Sequence, residues 1–300
     1  MPTLLEMPDV TMLNILEKCD FKSVLTLRKV CHSLRNFIDD SCFKTDLDII
    51  YITIDPTDFS VRCYSMNGTE GMVLSQNWTS NDVKIILKMA QNSKLSEFTV
   101  TTNPNNVKGL DDLEEILKNQ TRPLQTEHFE MEGSEILKVL PYIDSKPLKR
   151  ISVIPENYET DNQNLDGIEK LIELEQFKNA VEITIDYCFL VRADLRKFFH
   201  FQRVIKKLQR TSLEELVALK EAFVASTRMD YFSLVDFELN ENQLEQVFGT
   251  PFYDQFGRPQ WFFEIKNCKE HVLRIHLASD GIGFCKLKTK EIPQDAVVQR

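Results

Sequence analysis

The segment from Leu4 to Arg35 constrains the fold and the assembly of this chain more than any other. A helix predicted from about Asp9 to Cys19 carries apolar side chains over an arc of about 220°, which is wider than one core-facing stripe. Asp20 is placed to N-cap a second helix through about Lys29, which is also apolar on more than one side. Modules of this size rarely bury enough surface to be stable alone. The segment therefore predicts short helices that close a small core with one face and contact a second protein with another.

The same residues resemble the F-box motif. Two departures are mild, because Met7 stands where leucine is usual before the proline and Leu34 stands where many members carry tryptophan. The matching residues are Met7-Pro8 with Val10, then Leu16, Asp20, Leu25, Leu27, Val30-Cys31 and Arg35. The resemblance implies a three-helix module whose helices pack into an apolar groove of a Skp-family adaptor. The residues expected at this contact are Met7, Pro8, Val10, Ile15, Leu16, Leu25, Val30 and Leu34. Some of them can instead close the internal core of the module.

Composition indicates a soluble globular protein of one or two domains. Of the 300 residues, 42% are hydrophobic and 27% are charged, and no apolar run is long enough to span a membrane. Glu6 and Asp9 interrupt any signal-peptide pattern, which predicts a cytoplasmic or nuclear protein rather than a secreted one. The seven cysteines are scattered and form no Cys-x-x-Cys pair, so reduced thiols are expected rather than a disulfide framework.

Beyond Leu47 the sequence alternates between strand and helix patterns. A hairpin is predicted from Asp48–Ile54 and Phe59–Tyr64, and a helix from about Asn81 to Asn92. The strand that follows, Leu95–Val100, has a Leu-x-x-Phe-x-Val spacing. Related strands are Leu148–Val153 and, more loosely, Leu124–Met131 and Val181–Ile185. Helices are expected between these strands near Leu110–Asn119, Ser134–Leu140 and Asp166–Gln176.

This alternation resembles a degenerate leucine-rich repeat, a solenoid whose strands line one open face. An ordinary α/β domain with a parallel sheet produces the same alternation and remains the alternative. The predicted fold class is therefore α+β or α/β, with a three-helix F-box followed by a leucine-rich-repeat-like strand-helix solenoid. In the solenoid, polar residues beside the buried strand positions would form a face for a target protein: Glu97, Thr99, Arg150, Ser152, Glu182, Thr184 and Asp186.

A helical stretch is predicted from Asp194 to Ala225, broken near Thr211-Ser212, and it carries a basic stripe. The stripe places cations at i, i+3, i+4 and i+7: Arg203, Lys206, Lys207 and Arg210. A solvated face is the usual interpretation, and a contact with an acidic peptide, another protein or RNA is the alternative. The net charge of −10 disfavours a general role on nucleic acid, which needs a clustered positive field.

The segment Glu173–Ala180, with His200-Phe201 further on, resembles the FTH domain that follows the F-box in many nematode proteins. Phe177 replaces the tryptophan expected there. Later strands are predicted at Tyr231–Phe237 and Trp261–Ile265. The resulting domain prediction is an F-box over 1–45, connecting strands and helices over 46–125, an FTH-like repeat domain over 126–270, and a C-terminal hairpin and tail over 271–300.

Catalytic and cofactor motifs are absent from the sequence. It contains no phosphate-binding loop, no nucleophile elbow and no His-Glu-x-x-His pair, and it has only nine glycines. Gly281–Gly283 is interpreted as a hairpin turn. Metal ligation is disfavoured because strand alternation would put Cys268 and His276 on one face and His271 on the other, with Cys285 as the fourth soft ligand nearby. We expect no metal, no cofactor and no catalysis by the chain itself.

The F-box resemblance implies a substrate receptor of a Skp-cullin-F-box ubiquitin ligase, linked through the Skp adaptor to cullin and RING subunits. Holding a target near the transferring enzyme raises its effective concentration, which needs no chemistry from the receptor. The main alternative is a scaffold that holds a partner without ubiquitin transfer. A third interpretation, RNA binding through the basic stripe, predicts an affinity that falls steeply with salt.

Overall fold

The computed structural model describes residues 7–41, 43–55, 59–65, 72–102, 107–155, 163–165, 167–186, 189–191, 193–208, 211–235, 240–279 and 281–299. The chain divides into two compact units, Met1–Glu156 and Asn157–Arg300. Each unit combines helices with a sheet of parallel and antiparallel strands, so the fold is mixed α and β.

The first unit begins with helices and continues with a sheet. Its helices are α1 (Asp9–Leu16), α2 (Phe21–Val30), α3 (His32–Asp40), α4 (Ser80–Ala90) and α5 (Val107–Lys118). Its strands are β1 (Leu47–Ile54), β2 (Phe59–Ser65), β3 (Met72–Trp78), β4 (Lys94–Thr102), β5 (Gln125–Glu132) and β6 (Arg150–Ile154). Short 3-10 helices cover Ile136–Lys138 and Leu140–Tyr142. The predicted helices near 9–19, 20–29, 81–92 and 110–119 are thus present with boundaries shifted by a few residues.

The sheet of the first unit has the order β3-β2-β1-β4-β5-β6. β1 pairs antiparallel with β2, which confirms the predicted hairpin; the residues that join the two strands, 56–58, lie outside the described part of the chain. β1, β4, β5 and β6 pair in parallel. The Leu-x-x-Phe-x-Val strand and its relatives at 124–131 and 148–153 therefore lie side by side, an arrangement shared by repeat solenoids and by parallel α/β sheets.

The core of the first unit lies between the parallel strands and the helices that connect them. Phe98 and Phe129 are fully buried on β4 and β5, with ring centroids 5.8 Å apart. Thr79 begins α4 with a capping box, accepting from the Asp82 amide while the Asp82 carboxylate accepts from the Thr79 amide. The helix predicted at 134–140 is replaced by the 3-10 segments, because Pro141 supplies no N–H to an α-helical ladder.

The second unit combines parallel and antiparallel strand pairs. Its strands are β7 (Gln163–Asn164), β8 (Glu182–Ile185), β9 (Phe189–Val191), β10 (Arg203–Leu208), β11 (Tyr231–Val235), β12 (Phe252–Tyr253), β13 (Pro259–Ile265), β14 (Cys268–Ala278), β15 (Gly281–Lys288) and β16 (Val298–Gln299). Its helices are α6 (Ile168–Glu173), α7 (Glu175–Asn179), α8 (Leu213–Ala225) and α9 (Glu241–Phe248), with 3-10 helices at Leu195–Phe198 and Thr289–Glu291.

The main strand order of the second unit is β12-β13-β14-β15-β11-β10-β8. β10 pairs in parallel with both β8 and β11. The other pairs along this order, β11 with β15, β15 with β14, β14 with β13 and β13 with β12, are antiparallel. Aromatic clusters fill the core both where the strands pair in parallel and where they pair antiparallel. Phe177 packs edge to face on Phe201 at 4.9 Å, and Phe248 packs on Trp261 at 5.7 Å. The substitution of phenylalanine for tryptophan at 177 therefore keeps a buried aromatic ring at that position.

The predicted helical stretch from Asp194 to Ala225 is wrong in its first half. A 3-10 helix and the strand β10 occupy that half, and the α-helix begins only at Leu213. Ser212 N-caps it with Glu215, as the capping-box pattern predicted. Another correction concerns Gly281 and Gly283, which lie within β15 rather than in the turn; a Cβ on Gly283 would overlap the His276 ring of β14. The strands β14 and β15 do form the predicted hairpin.

Within the described residues, every helix is too short or too polar to cross a lipid bilayer.

Candidate protein-interaction surfaces

The turns between the first helices are set by local capping. Pro8 precedes α1 and its carbonyl accepts from the amides of Thr11 and Met12. The Asp20 carboxylate caps α2 by accepting from the Ser23 amide at 2.6 Å, and this hydrogen bond lowers the pKa of Asp20. Cys31 separates α2 from α3 in an extended conformation, which forces a sharp change of direction. These short connections hold the helices against one another.

Each of α1, α2 and α3 contributes side chains to a buried apolar core. Leu16 and Leu34 are only 2% and 4% exposed, so two of the residues expected to contact the adaptor fill the interior of the module. The buried side chains are Met12, Leu16, Phe21, Val24, Leu34 and Ile38. At its edge Arg28 donates to both carboxylate oxygens of Asp39, at 2.6 and 2.9 Å, which ties α2 to α3.

Other apolar side chains of the same helices are exposed to solvent. Val10 on α1 is 70% exposed and Val30 at the end of α2 is 65% exposed. Pro8 is also exposed, whereas Met7, Ile15 and Leu25 are half-buried. Large apolar side chains at this exposure leave apolar area in water that a partner can cover. The residues predicted for adaptor binding thus separate into an outward set and an inward set.

The helical module is fixed to the sheet that follows it in the first unit. The Asp46 carboxylate accepts from the Phe21 amide at 2.8 Å. Thr45 and Ser93 are both buried, and the Thr45 amide and hydroxyl lie 3.0 and 2.8 Å from Ser93 Oγ. Because these polar groups satisfy one another away from solvent, the module and the sheet are held in a defined orientation.

The residues predicted for a target-binding face on β4 and β6 fall into shared rows across the sheet. Glu97 is in register with His128 and Arg150, and the next row along the strands aligns Thr99, Glu130 and Ser152. This alignment follows from the parallel pairing of strands with the same apolar spacing. The structure therefore brings the four predicted residues of this unit into neighbouring positions, but Thr99 is only 5% exposed, so its prediction as part of an open face is wrong.

Hydrogen bonds connect those rows through residues that the sequence analysis missed. His128 Nε2 lies 2.9 Å from Ser152 Oγ, and its Nδ1 lies 3.6 Å from Glu97 Oε2. Burial and the neighbouring Glu97 carboxylate raise the pKa of Tyr51 on β1 to about 12, and burial, together with the charge of Glu97, raises the pKa of Glu130. His128 and Glu130 of β5 stand opposite Glu97 and Thr99 of β4, so the repeat pattern could have identified them.

The remaining residues of the predicted face lie in the second unit, on or next to β8. Glu182, Thr184 and Asp186 are half-buried. Glu182 is in register with Arg203 of β10, whose guanidinium lies 4.7 Å from the ring centroid of Tyr231. An acidic and a basic side chain are thus neighbours here, and the surface is of mixed charge.

The basic stripe predicted on a helix is not formed, because Arg203–Leu208 is the strand β10. Successive side chains of a strand alternate between faces, so helical spacing does not place these residues together. Arg203 is exposed, whereas Lys206 is fully buried with its Nζ 3.2 Å from the Phe198 ring centroid. The Lys207 side chain and Arg210 lie outside the described residues.

Cys268 and His271 are neighbours, contrary to the alternation expected for an extended β14. The Cys268 Sγ lies 3.7 Å from His271 Nδ1, because a bulge follows Cys268: Ile265 pairs with Cys268, but Glu264 pairs with Val272. Among the described residues, no group of at least three His, Cys, Asp or Glu side chains is placed to hold a metal ion.

Comparison with protein families separates the chain into two matched segments. An F-box domain model matches residues 4–46, and an FTH domain model matches residues 107–252. Together they support an F-box plus FTH protein. The F-box match contains α1, α2 and α3, so the helices with the open Val10 and Val30 face are those of the F-box. The FTH match runs from α5 to the first residue of β12.

No curated protein and no solved structure gives a match to this F-box plus FTH chain. The family models confirm the two domains that the sequence resembles. The F-box suggests an adaptor for substrate recognition in a ubiquitin ligase, and F-box proteins are in general non-catalytic subunits of these ligases.

Proposed function

We propose that the chain is a substrate receptor of a Skp-cullin-F-box ubiquitin ligase. Its F-box binds a Skp-family adaptor, and its FTH-containing remainder holds a target protein. The observation that carries this proposal is the exposed pair Val10 and Val30 on helices that match the F-box and whose own core is already closed. A module that has satisfied its interior and still exposes large apolar side chains is suited to a protein partner.

Contact with the adaptor is assigned to the outward set of residues. Val10, Val30 and Pro8 are the primary contacts, and Met7, Ile15 and Leu25 are half-buried residues at the border. Leu16 and Leu34 support the contact from within, since they pack the helices that carry it. The firm attachment of the F-box to its sheet fixes where the rest of the first unit is presented.

In this proposal the chain is non-catalytic and works by bringing a target close to the ubiquitin-transferring subunits. The parallel strands β4, β5 and β6 act as degenerate repeat units, and the polar side chains of Glu97, Arg150 and Ser152, which are not buried, are candidate target contacts. In the second unit Glu182, Thr184 and Asp186 have the same proposed role.

Co-expression of the full chain with a Skp-family adaptor, a cullin and a RING subunit tests the proposal. A receptor co-purifies with all of them and supports ubiquitin transfer to a bound protein. Recovery of the Skp adaptor without the cullin would favour the alternative of a scaffold that does not direct degradation. Failure of the soluble chain to bind the Skp adaptor would overturn the F-box function itself.

A further inference from the structure

A second set of exposed apolar side chains lies near the C-terminal end of the described chain. Tyr253, Phe256 and Val297 are 50%, 71% and 76% exposed. Together with Val10 and Val30 of the F-box, they account for most of the large apolar side chains that the described residues expose. Tyr253 and Val297 line one groove, and Phe256 lies in the turn between β12 and β13. Exposed apolar side chains that collect in one place indicate a binding surface rather than scattered surface residues.

The groove is built from rigid parts. It has a volume of about 550 Å³, which is within the usual range for binding pockets. Trp261 is buried at the groove and its Nε1 donates to the Gly249 carbonyl at 2.6 Å. Gln299 also lines the groove, and its Nε2 donates to the neighbouring Phe248 carbonyl at 2.7 Å. Pro251, also buried, lines the wall. Such a site loses little conformational entropy on binding.

A free main-chain edge borders the groove. Among the described strands, β12 pairs with β13 alone and ends the strand order of the unit. β16 pairs with the later part of β13, at Phe262 and Phe263, so it leaves the outer edge of β12 uncovered. An extended segment of another protein can add to such an edge through main-chain hydrogen bonds while its side chains enter the adjacent groove.

The rim of the groove is acidic. Asp295 lines it, and the Asp254 carboxylate is held beside it by Gln260 Nε2 at 3.2 Å. The Tyr253 hydroxyl donates to the Glu241 carboxylate at the same border. Among the described residues that line the groove there is no Lys, Arg or His. The nearby Arg258 has its guanidinium 5.5 Å from the Phe256 ring centroid, and its backbone amide donates to the Asp254 carboxylate at 2.9 Å.

We propose that this groove binds an extended segment of a target protein in which a large apolar side chain stands next to Lys or Arg. The apolar side chain would enter over Trp261, and the cation would lie near Asp295 and Asp254. A second copy of the chain is disfavoured as the occupant, because the chain carries a net charge of −10 and the rim is itself acidic. The inference rests on the proposed function in one respect: the bound protein is the ligase target.

Peptide selection on the full chain tests this inference. A phage-displayed library of short random peptides is selected on the chain immobilised through its N-terminus, and enriched sequences are synthesised with a fluorophore for anisotropy titrations. We expect enriched peptides to combine Phe, Leu, Ile or Trp with an adjacent Lys or Arg. Val297→Asp should weaken their binding about tenfold or more, and Asp295→Lys should do the same. Val181→Asp, at another exposed valine of the same unit, is the matched control and should bind as the wild type does.

Several results would overturn the inference. They are the absence of any enriched peptide, enrichment of acidic peptides, and equal binding of the selected peptides to wild type and Val297→Asp. A dimer of the wild-type chain that Val297→Asp dissociates, seen by light scattering, would assign the groove to a second copy instead. Binding of the same variants to the Skp adaptor is measured in parallel. A wild-type chain that binds the selected peptides but not the Skp adaptor would contradict the proposed function alone. A wild-type chain that binds the Skp adaptor but enriches no peptide would contradict this inference alone.

Discussion

The Nζ atom of Lys206 lies 3.2 Å from the centroid of the Phe198 ring, in the interior of the second unit. The side chain is fully buried, and its Nζ has no hydrogen-bond partner among the described residues. Burial lowers the pKa of Lys206 well below 10.5, although the charges of Glu215 and Asp194 act in the opposite direction. This lysine therefore costs stability in the folded chain.

Replacing Lys206 by methionine should stabilise the protein. Lys206→Met keeps a long side chain against Phe198 and removes the buried amine, so we expect a gain of about 1–4 kcal/mol in the free energy of unfolding near neutral pH. Urea denaturation of the full chain measures this difference. Lys197→Met, at an exposed lysine in the neighbouring 3-10 helix, is the control and should change the free energy by less than about 0.5 kcal/mol. A destabilised Lys206→Met variant would contradict this assignment.

The advantage of Lys206→Met should also depend on pH. The folded-state pKa of Lys206 is lower than the unfolded-state value of 10.5, so between these two values the unfolded chain binds more protons than the folded chain. The stability of the wild type therefore rises with pH across that window, and the difference from Lys206→Met shrinks. Urea midpoints of both proteins at about pH 7 and about pH 9 measure the change. A stability difference between Lys206→Met and the wild type that grows towards alkaline pH would contradict the expected direction of the pH dependence.

Glu127 on β5 should contribute a small, salt-sensitive stabilisation that is lost in acid. Its carboxylate accepts from Lys149 at 2.8 Å and Lys94 at 2.5 Å, and these contacts lower the pKa of Glu127 from 4.5 to about 2. Because the folded-state pKa is the lower one, the stabilisation is present above about pH 4.5 and disappears as the pH falls towards 2. The side chain is 35% exposed, so Glu127→Gln should cost less than about 1 kcal/mol at neutral pH.

Thermal unfolding at low and at high salt measures the effect of Glu127→Gln. Glu115→Gln, at an exposed position of α5, is the matched control and should leave thermal unfolding unchanged at both salt concentrations. Equal unfolding of Glu127→Gln and wild type at neutral pH and low salt would show that the pair with the lysines contributes nothing.

The inward and outward residues of the F-box should differ sharply in their effect on stability. Leu16→Ala removes a side chain that is 2% exposed and should cost about 2–5 kcal/mol, which is enough to unfold such a small module locally. Val10→Ala, at a residue that is 70% exposed, should change stability by less than about 0.5 kcal/mol. Hydrogen exchange of the α1, α2 and α3 amides measures both. Equal protection in the two variants would contradict the division into core and interface.

Elements defined by local pattern could be predicted from the sequence. The hairpin of β1 and β2 follows from two alternating runs around a turn, and the strands at 95–100, 124–131 and 148–153 follow from their shared apolar spacing. The Ser212 cap follows from hydroxyl and carboxyl groups at fixed offsets. In each case the signal lies in neighbouring residues and tertiary contacts do not oppose it.

The error at Arg203–Arg210 has a different origin. Cations at i, i+3 and i+4 match the helical period, but charge carries no packing energy of its own, and the pairing of β10 with β8 and β11 determined the conformation. The burial of a lysine at 206 could not be read from its neighbours, because it depends on Phe198 and on elements distant in sequence.

For the F-box, the pattern identified the contributing residues but not their faces. Both faces of α1 are apolar, so only the folded structure shows that Leu16 is buried and Val10 is exposed. The groove near the C-terminal end was missed altogether. Its signal was the cluster of Phe252, Tyr253 and Phe256 between Pro251 and Gly257, where turn residues leave aromatic side chains outside any regular core.

The most direct test of the account is the affinity of the full chain for a Skp-family adaptor, measured by titration calorimetry. We predict a one-to-one complex with the wild type and with Val181→Asp. The double variant Val10→Asp with Val30→Asp should raise the dissociation constant about 100-fold or more while its thermal unfolding is unchanged. Tight binding by the double variant, or no binding by the wild type, would contradict the claim that this F-box face is the adaptor interface.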